Sequence, residues 1–131
     1  MGIGPFLVAR LTQDSVVGPI IGACIYDTTA LQDQGMPFVV FEEFDGERYS
    51  SMGTDATICD ARVRFHIWSK TVVERDSIIT GVRKSLQRFT GVLANITVSD
   101  IFVLHGGPML YDTATRAWHA VRDYRVIYQE P

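Results

Sequence analysis

Ala56-Thr57-Ile58-Cys59-Asp60-Ala61-Arg62-Val63-Arg64-Phe65-His66-Ile67-Trp68-Ser69-Lys70 alternates apolar and polar side chains along most of its length. A period of two marks a strand with one face on a core. Cys59, Ala61, Val63, Phe65 and Ile67 make the apolar face; Asp60, Arg62, Arg64, His66 and Trp68 make the other. The period then changes. Thr71-Val72-Val73-Glu74 fits a capping box, in which the Thr hydroxyl takes an orphan backbone N–H and Glu74 reaches back. A helix is predicted over residues 72–89, with Val72, Ile79, Val82, Leu86 and Phe89 as its apolar stripe. Gly81 in its middle costs about 1 kcal/mol against Ala, and close packing on the sheet is the expected reason. Thr90-Gly91 ends it.

Working outward, Pro37 opens a second strand, residues 38–44, rich in aromatic and β-branched side chains. Residues 45–55 carry Gly46, Ser50-Ser51 and Gly53, turn chemistry that predicts a loop. Before it, residues 5–13 read as a short helix with Pro5 in the first turn. A further turn after Asp14 is expected to break at Gly18-Pro19. Residues 23–26 suggest a brief strand and 27–36 a loop. After the long helix, residues 96–105, 109–111 and 117–128 read as strands, with Gly106-Gly107-Pro108 as a bulge or bend. The expected fold class is α+β: a single, mainly antiparallel sheet with one long helix and a short N-terminal helix packed on it. No repeat or linker divides the 131 residues, so one domain, 1–131, is expected.

Composition narrows the function classes. Hydrophobic residues make up 47% and charged ones 21%, which excludes a disordered chain. A net charge of −3 gives no reason to expect a nucleic-acid binder. The charge is split. Residues 1–61 carry two basic side chains against nine acidic, and residues 62–131 carry ten against six. Such a split suits head-to-tail self-association. Cys24 and Cys59 are expected as reduced thiols in apolar surroundings. The longest apolar run, residues 16–26, is too short to span a bilayer.

No motif for chemistry emerges. Cys59 and His66 face opposite sides of a strand, so they cannot share a metal. His105 and His119 could meet across strands. Glu42 and Glu43 are adjacent and face apart. Neither a nucleophile elbow nor a phosphate loop occurs. Arg62, Arg64, Arg122 and Arg125 suggest neutralised sheet charge, with Asp60 and Asp123 as cross-strand partners. No catalytic residue, cofactor or metal site is expected.

The exposed aromatics say more. On the last strand Trp118, Tyr124 and Tyr128 share a face with Ala120, Arg122 and Val126, while Val121 and Ile127 occupy the other. Trp68 sits on the nominally polar face. A sheet apolar on both faces is covered on both. One helix covers one; the N-terminal segment or a second copy must cover the other.

Four blocks carry a resemblance: Gly22-Ala23-Cys24-Ile25-Tyr26; Pro37-Phe38-Val39-Val40-Phe41; Phe65-His66-Ile67-Trp68-Ser69-Lys70 with Ile78, Val82 and Leu86; and Arg122-Asp123-Tyr124-Arg125-Val126. In order, spacing and total length, over residues 5–129, they resemble the tail-completion proteins of long-tailed bacteriophages and gene transfer agents. These are also called tail terminators or head–tail joining proteins. The resemblance implies a structural virion protein, not an enzyme, made in the bacterial cytoplasm and resident in the tail or neck. It implies a hexameric ring that caps the tail tube and docks on the head connector or head-completion protein. DNA would be only passing cargo, and no membrane is involved. Tyr49, Ser50, Met52, Trp68, Trp118 and Tyr124 are the candidate interface residues, the first three because a polar 45–55 loop carrying Tyr49 and Met52 suits a partner. Competing readings are another ring-forming neck or tail-tube protein, or a small ligand-binding domain or enzyme with a pocket between helix and sheet.

Overall fold

The alternating stretch forms a 13-residue strand, Thr57–Ser69, and lies near the middle of the sheet. The computed structural model describes residues 3–22, 24–27, 35–50, 57–114 and 116–129. In chain order the elements are α1 (Gly4–Thr12), α2 (Val17–Ile21), β1 (Ile25–Asp27), β2 (Phe38–Ser50), β3 (Thr57–Ser69), α3 (Val72–Leu86), β4 (Gly91–Leu93), β5 (Ile96–Asp112) and β6 (Ala117–Gln129). The architecture is α+β, with six strands in the order β1-β2-β3-β6-β5-β4. β1 runs parallel to β2, and every other neighbour pair is antiparallel.

Cross-strand register sorts the side chains. Val63 faces Tyr124, Ile67 faces Ala120 and Cys59 faces Tyr128. These residues, with Val39 and Phe41 of β2 and Val98 and Ile101 of β5, join Phe6, Leu7 and Leu11 of α1, Val17 and Ile21 of α2, and Ile78, Val82 and Leu86 of α3 in one buried cluster. All three helices therefore cover the same, inner face. The sheet curls around them: α1 touches both β1 and β4, strands at opposite margins. Register shifts at Glu43/Asp45 in β2 and at three places in β5 supply the bends.

Several expectations are corrected. Residues 45–50 are not loop. They continue β2 past a bulge and pair with β3, Asp45 opposite Arg62 and Ser50 opposite Thr57. Gly46 is tolerated because both flanking runs find ladder partners. The remainder of that predicted loop, 51–55, and most of the one at 27–36 lie outside the described residues. Gly18-Pro19 sits inside α2 instead of ending it. Pro19 falls in the first turn, where no N–H is needed, and Asp14 Oδ1 accepts the Val16 and Val17 N–H groups at 2.8 and 2.9 Å. The N-terminal segment lies on the same face as α3 and does not cover the outer one.

α3 starts as expected, with Thr71 Oγ1 accepting the Glu74 N–H at 3.1 Å. It ends at Leu86, because Arg88 turns to φ 60°. Its buried row is Ile78, Val82 and Leu86, with Ile79 at the margin. Gly81 faces α2, not the sheet. A Cβ there would stand 2.4 Å from Val17 Cγ2. Residues 96–112 form one bulged strand, and the short β4 had no clear signal.

Candidate assembly surface

The outer face of the sheet begins as a row of side chains crossing four strands. Phe38 of β2 pairs with Trp68 of β3, Trp68 with His119 of β6, and His119 with Leu110 of β5. The Trp68 and His119 rings lie parallel, centroids 3.9 Å apart at 3°. Phe38 stacks less closely on Trp68, at 6.3 Å. One level further along, His66 Nδ1 and His119 Nε2 are 3.2 Å apart, and His66 Nε2 is 3.3 Å from Glu42 Oε1. A bond between two imidazole nitrogens needs at least one neutral ring. Burial and the neighbouring His66 charge hold the His119 pKa below the usual histidine value, against a smaller opposing pull from Asp112. His119 has a histidine partner, His66; the expected meeting of His105 with His119 falls on a side chain that is not among those described.

Beyond the histidines the outer face carries two cross-strand ion pairs. Arg64 donates from Nε to Asp123 Oδ1 at 3.0 Å, and Arg125 donates from Nη2 to Asp60 Oδ2 at 2.6 Å. The Asp60 pKa is lowered, chiefly by its hydrogen bond from Arg125. This is the neutralised sheet charge expected from the sequence, and it uses the two aspartates named there. Arg122 points to the inner face instead, near Gly106.

Of the sequence-predicted interface residues, the three whose side chains are described, Trp68, Trp118 and Tyr124, do not form one patch. Trp68 is half-buried on the outer face. Trp118 is on the inner face at the start of β6, with the Arg75 guanidinium 5.4 Å from its ring and Tyr111 at 4.7 Å. Tyr124 is 1% exposed and meets Phe65 edge-on, so its ring is core. Burial also pushes its hydroxyl pKa up to about 12. Tyr49 and Ser50 lie in β2, opposite Ile58 and Thr57; Met52 lies outside the described residues.

Sequence reasoning missed the apolar margin of β5. Val103, Leu104, Met109, Leu110 and Tyr111 are all exposed, Leu110 at 52%. On the other margin Phe44 of β2 is 42% exposed beneath the Arg64 guanidinium. The signal was present: Phe102-Val103-Leu104 and Met109-Leu110-Tyr111 are unbroken apolar runs, not alternating ones. A strand apolar on both sides needs cover on both.

Among the described residues no cluster of three or more His, Cys, Asp or Glu is placed to hold a metal. None of their helices is long and apolar enough to cross a membrane. What the surface offers is shape: a curled sheet with an apolar row, two cross-strand ion pairs and exposed apolar side chains on both margins. The chain belongs to the family described as "Tail completion protein gp17", which it matches over residues 6–129. Its fold is also that of a chain in the structure entitled "Virion of native gene transfer agent (GTA) particle", with a TM-score of 0.70 and 13% identity. The match covers 94% of this chain and 91% of that one. No curated protein matches the sequence.

Proposed function

We propose that this protein is a structural part of a phage-type tail, forming a homohexameric ring that caps the finished tail tube and joins it to the head connector. The family match over residues 6–129 carries the reading. The fold shared with a gene transfer agent virion chain supports it, as does an outer sheet face that the protomer's helices leave open. The acidic first half and basic second half suit head-to-tail contacts between copies. The role is scaffolding, not catalysis, and the site of action is the tail or neck of the particle. In this reading Trp68, half-buried on the outer face, contributes to the contact with a neighbour. On sequence grounds Tyr49, Ser50 and Met52 belong to a contact with the tube or connector.

Removing the protein from particle-producing cells tests this directly. Electron microscopy should then show heads and tails unjoined, or tails of abnormal length, with joining restored by the wild-type chain. Normal infectious particles in its absence would refute the reading.

A further inference from the structure

His66 ties three strands together through its ring. Its Nε2 is 3.3 Å from Glu42 Oε1 of β2, and its Nδ1 is 3.2 Å from His119 Nε2 of β6. A carboxylate accepts, so His66 Nε2 carries a proton. The contact between the two rings then has room for one proton more. Placed on His119 Nε2, it leaves both rings neutral. Placed on His66 Nδ1, with the other His119 proton on Nδ1, it makes His66 an imidazolium beside a neutral His119. Protonating both rings sets N–H against N–H with no acceptor between them. The pair therefore accommodates one positive charge and not two.

We propose that His66 and His119 form an acid-opened clasp between β3 and β6: the rings hold each other while they share at most one positive charge, and a second proton parts them with the fold intact. The groups around the pair favour such a parting. Glu42 holds a charged His66 from the β2 side. From β5, Asp112 attracts a charged His119; its Oδ1 already accepts the Ala114 N–H at 3.0 Å, so the attraction acts through charge. The Trp68 ring, parallel to His119 at 3.9 Å, offers its face to an imidazolium. The other charged groups on this face are committed or at the margin. Arg64 of β3 is paired with Asp123 of β6, His105 of β5 stands in register with Asp123, and Lys70 and Arg116 are exposed beside the strand ends. The three helices pack on the inner face, away from the pair. Val40 and Val121 flank His66 on the neighbouring strands, each 8% exposed. Parting the rings admits water to Val121. Burial and the His66 charge lower the His119 pKa from 6.5, so the opening falls below that pH. The clasp lies within one protomer and operates whether or not copies assemble.

Imidazole nitrogen resonances of the full chain, followed by NMR from about pH 8 to pH 4, test the clasp. The two rings should titrate in separate steps, the second below pH 6.5, because their charges interact. Relaxation of the Val121 methyls by a soluble gadolinium chelate should rise at least twofold across the second step, while the backbone amide pattern stays that of the folded protein. In His66→Gln the His119 titration should move up toward 6.5, and the Val121 signal should no longer follow pH. Glu42→Gln keeps both rings and removes only the counter-charge of His66, so it should shift the opening to lower pH and serves if His66→Gln does not fold. A His119 titration that neither variant moves would overturn the clasp. So would Val121 methyls equally shielded before and after the second step. A chain that loses its amide pattern as the second proton binds would overturn it too, since the rings would then part only by unfolding.

Discussion

His119 is held between the Trp68 ring and the His66 nitrogen, with Leu110 and Asp112 on the neighbouring strand and Glu42 reaching the far side of His66. Its folded pKa lies below the 6.5 of an unstructured histidine. The unfolded chain therefore takes up this proton first as pH falls, and stability declines from about pH 6.5 downward until the folded group also protonates. The denaturant midpoint should be lower at pH 5.5 than at 7.5, and His119→Gln should shrink that difference. An unchanged pH slope in the variant would assign the dependence elsewhere. Gly81 makes a second residue-scale case. Alanine would add helix propensity of about 1 kcal/mol, but its Cβ would stand 2.4 Å from Val17 Cγ2 and 3.4 Å from Val16 Cγ1. Overpacking of this kind costs about 1–3 kcal/mol, so Gly81→Ala should be neutral to destabilising. Val17→Ala in the same chain should recover part of any loss. A Gly81→Ala protein more stable than wild type would show that α2 yields freely.

At the scale of elements, α3 shows both the power and the limit of periodicity. The Thr71 cap, the helix start and the contribution of Val82 and Leu86 were readable from the sequence. The spacing reading put Ile79 in that row, although its neighbour Ile78 is equally apolar. The inner face of β3 decides for Ile78, fully buried, over Ile79. Ile78→Ala and Leu86→Ala should each cost about 2–5 kcal/mol, and Ile79→Ala clearly less, in urea unfolding. Equal losses at 78 and 79 would place the helix face midway between them. The β2 extension was hidden for a different reason. Asp45-Gly46 is turn chemistry in isolation, yet β3 offers a ladder partner for every residue from 45 to 50, and tertiary pairing outweighs local preference. The candidate interface was less legible than the fold. Alternation put Trp118 and Tyr124 together on one strand face but could not say that the helices cover that face. The exposed margins became visible only with the strand order.

For the whole molecule, the same strand order separates two explanations of assembly. The 131 residues divide into an acidic first half and a basic second half, and long-range attraction between such halves is screened by salt. The Debye length falls from about 10 Å at 0.1 M to about 3 Å at 1 M. Contacts that exposed apolar side chains such as Phe44 and Leu110 would make with a second copy are not screened, because excluding water from them gains as much or more in high salt. The chain carries both kinds of chemistry at different places: charge in the sequence at residues 42–47 and around α3, exposed apolar side chains along β5. Salt should therefore slow ring formation without dissolving formed rings. Stopped-flow light scattering should show association slowing several-fold between 0.1 and 1 M salt, while native-size measurements at equilibrium show the same ring. Rings that fall apart at 1 M would make charge the main bond between copies, whereas a salt-independent rate would leave the charge split without a role in assembly.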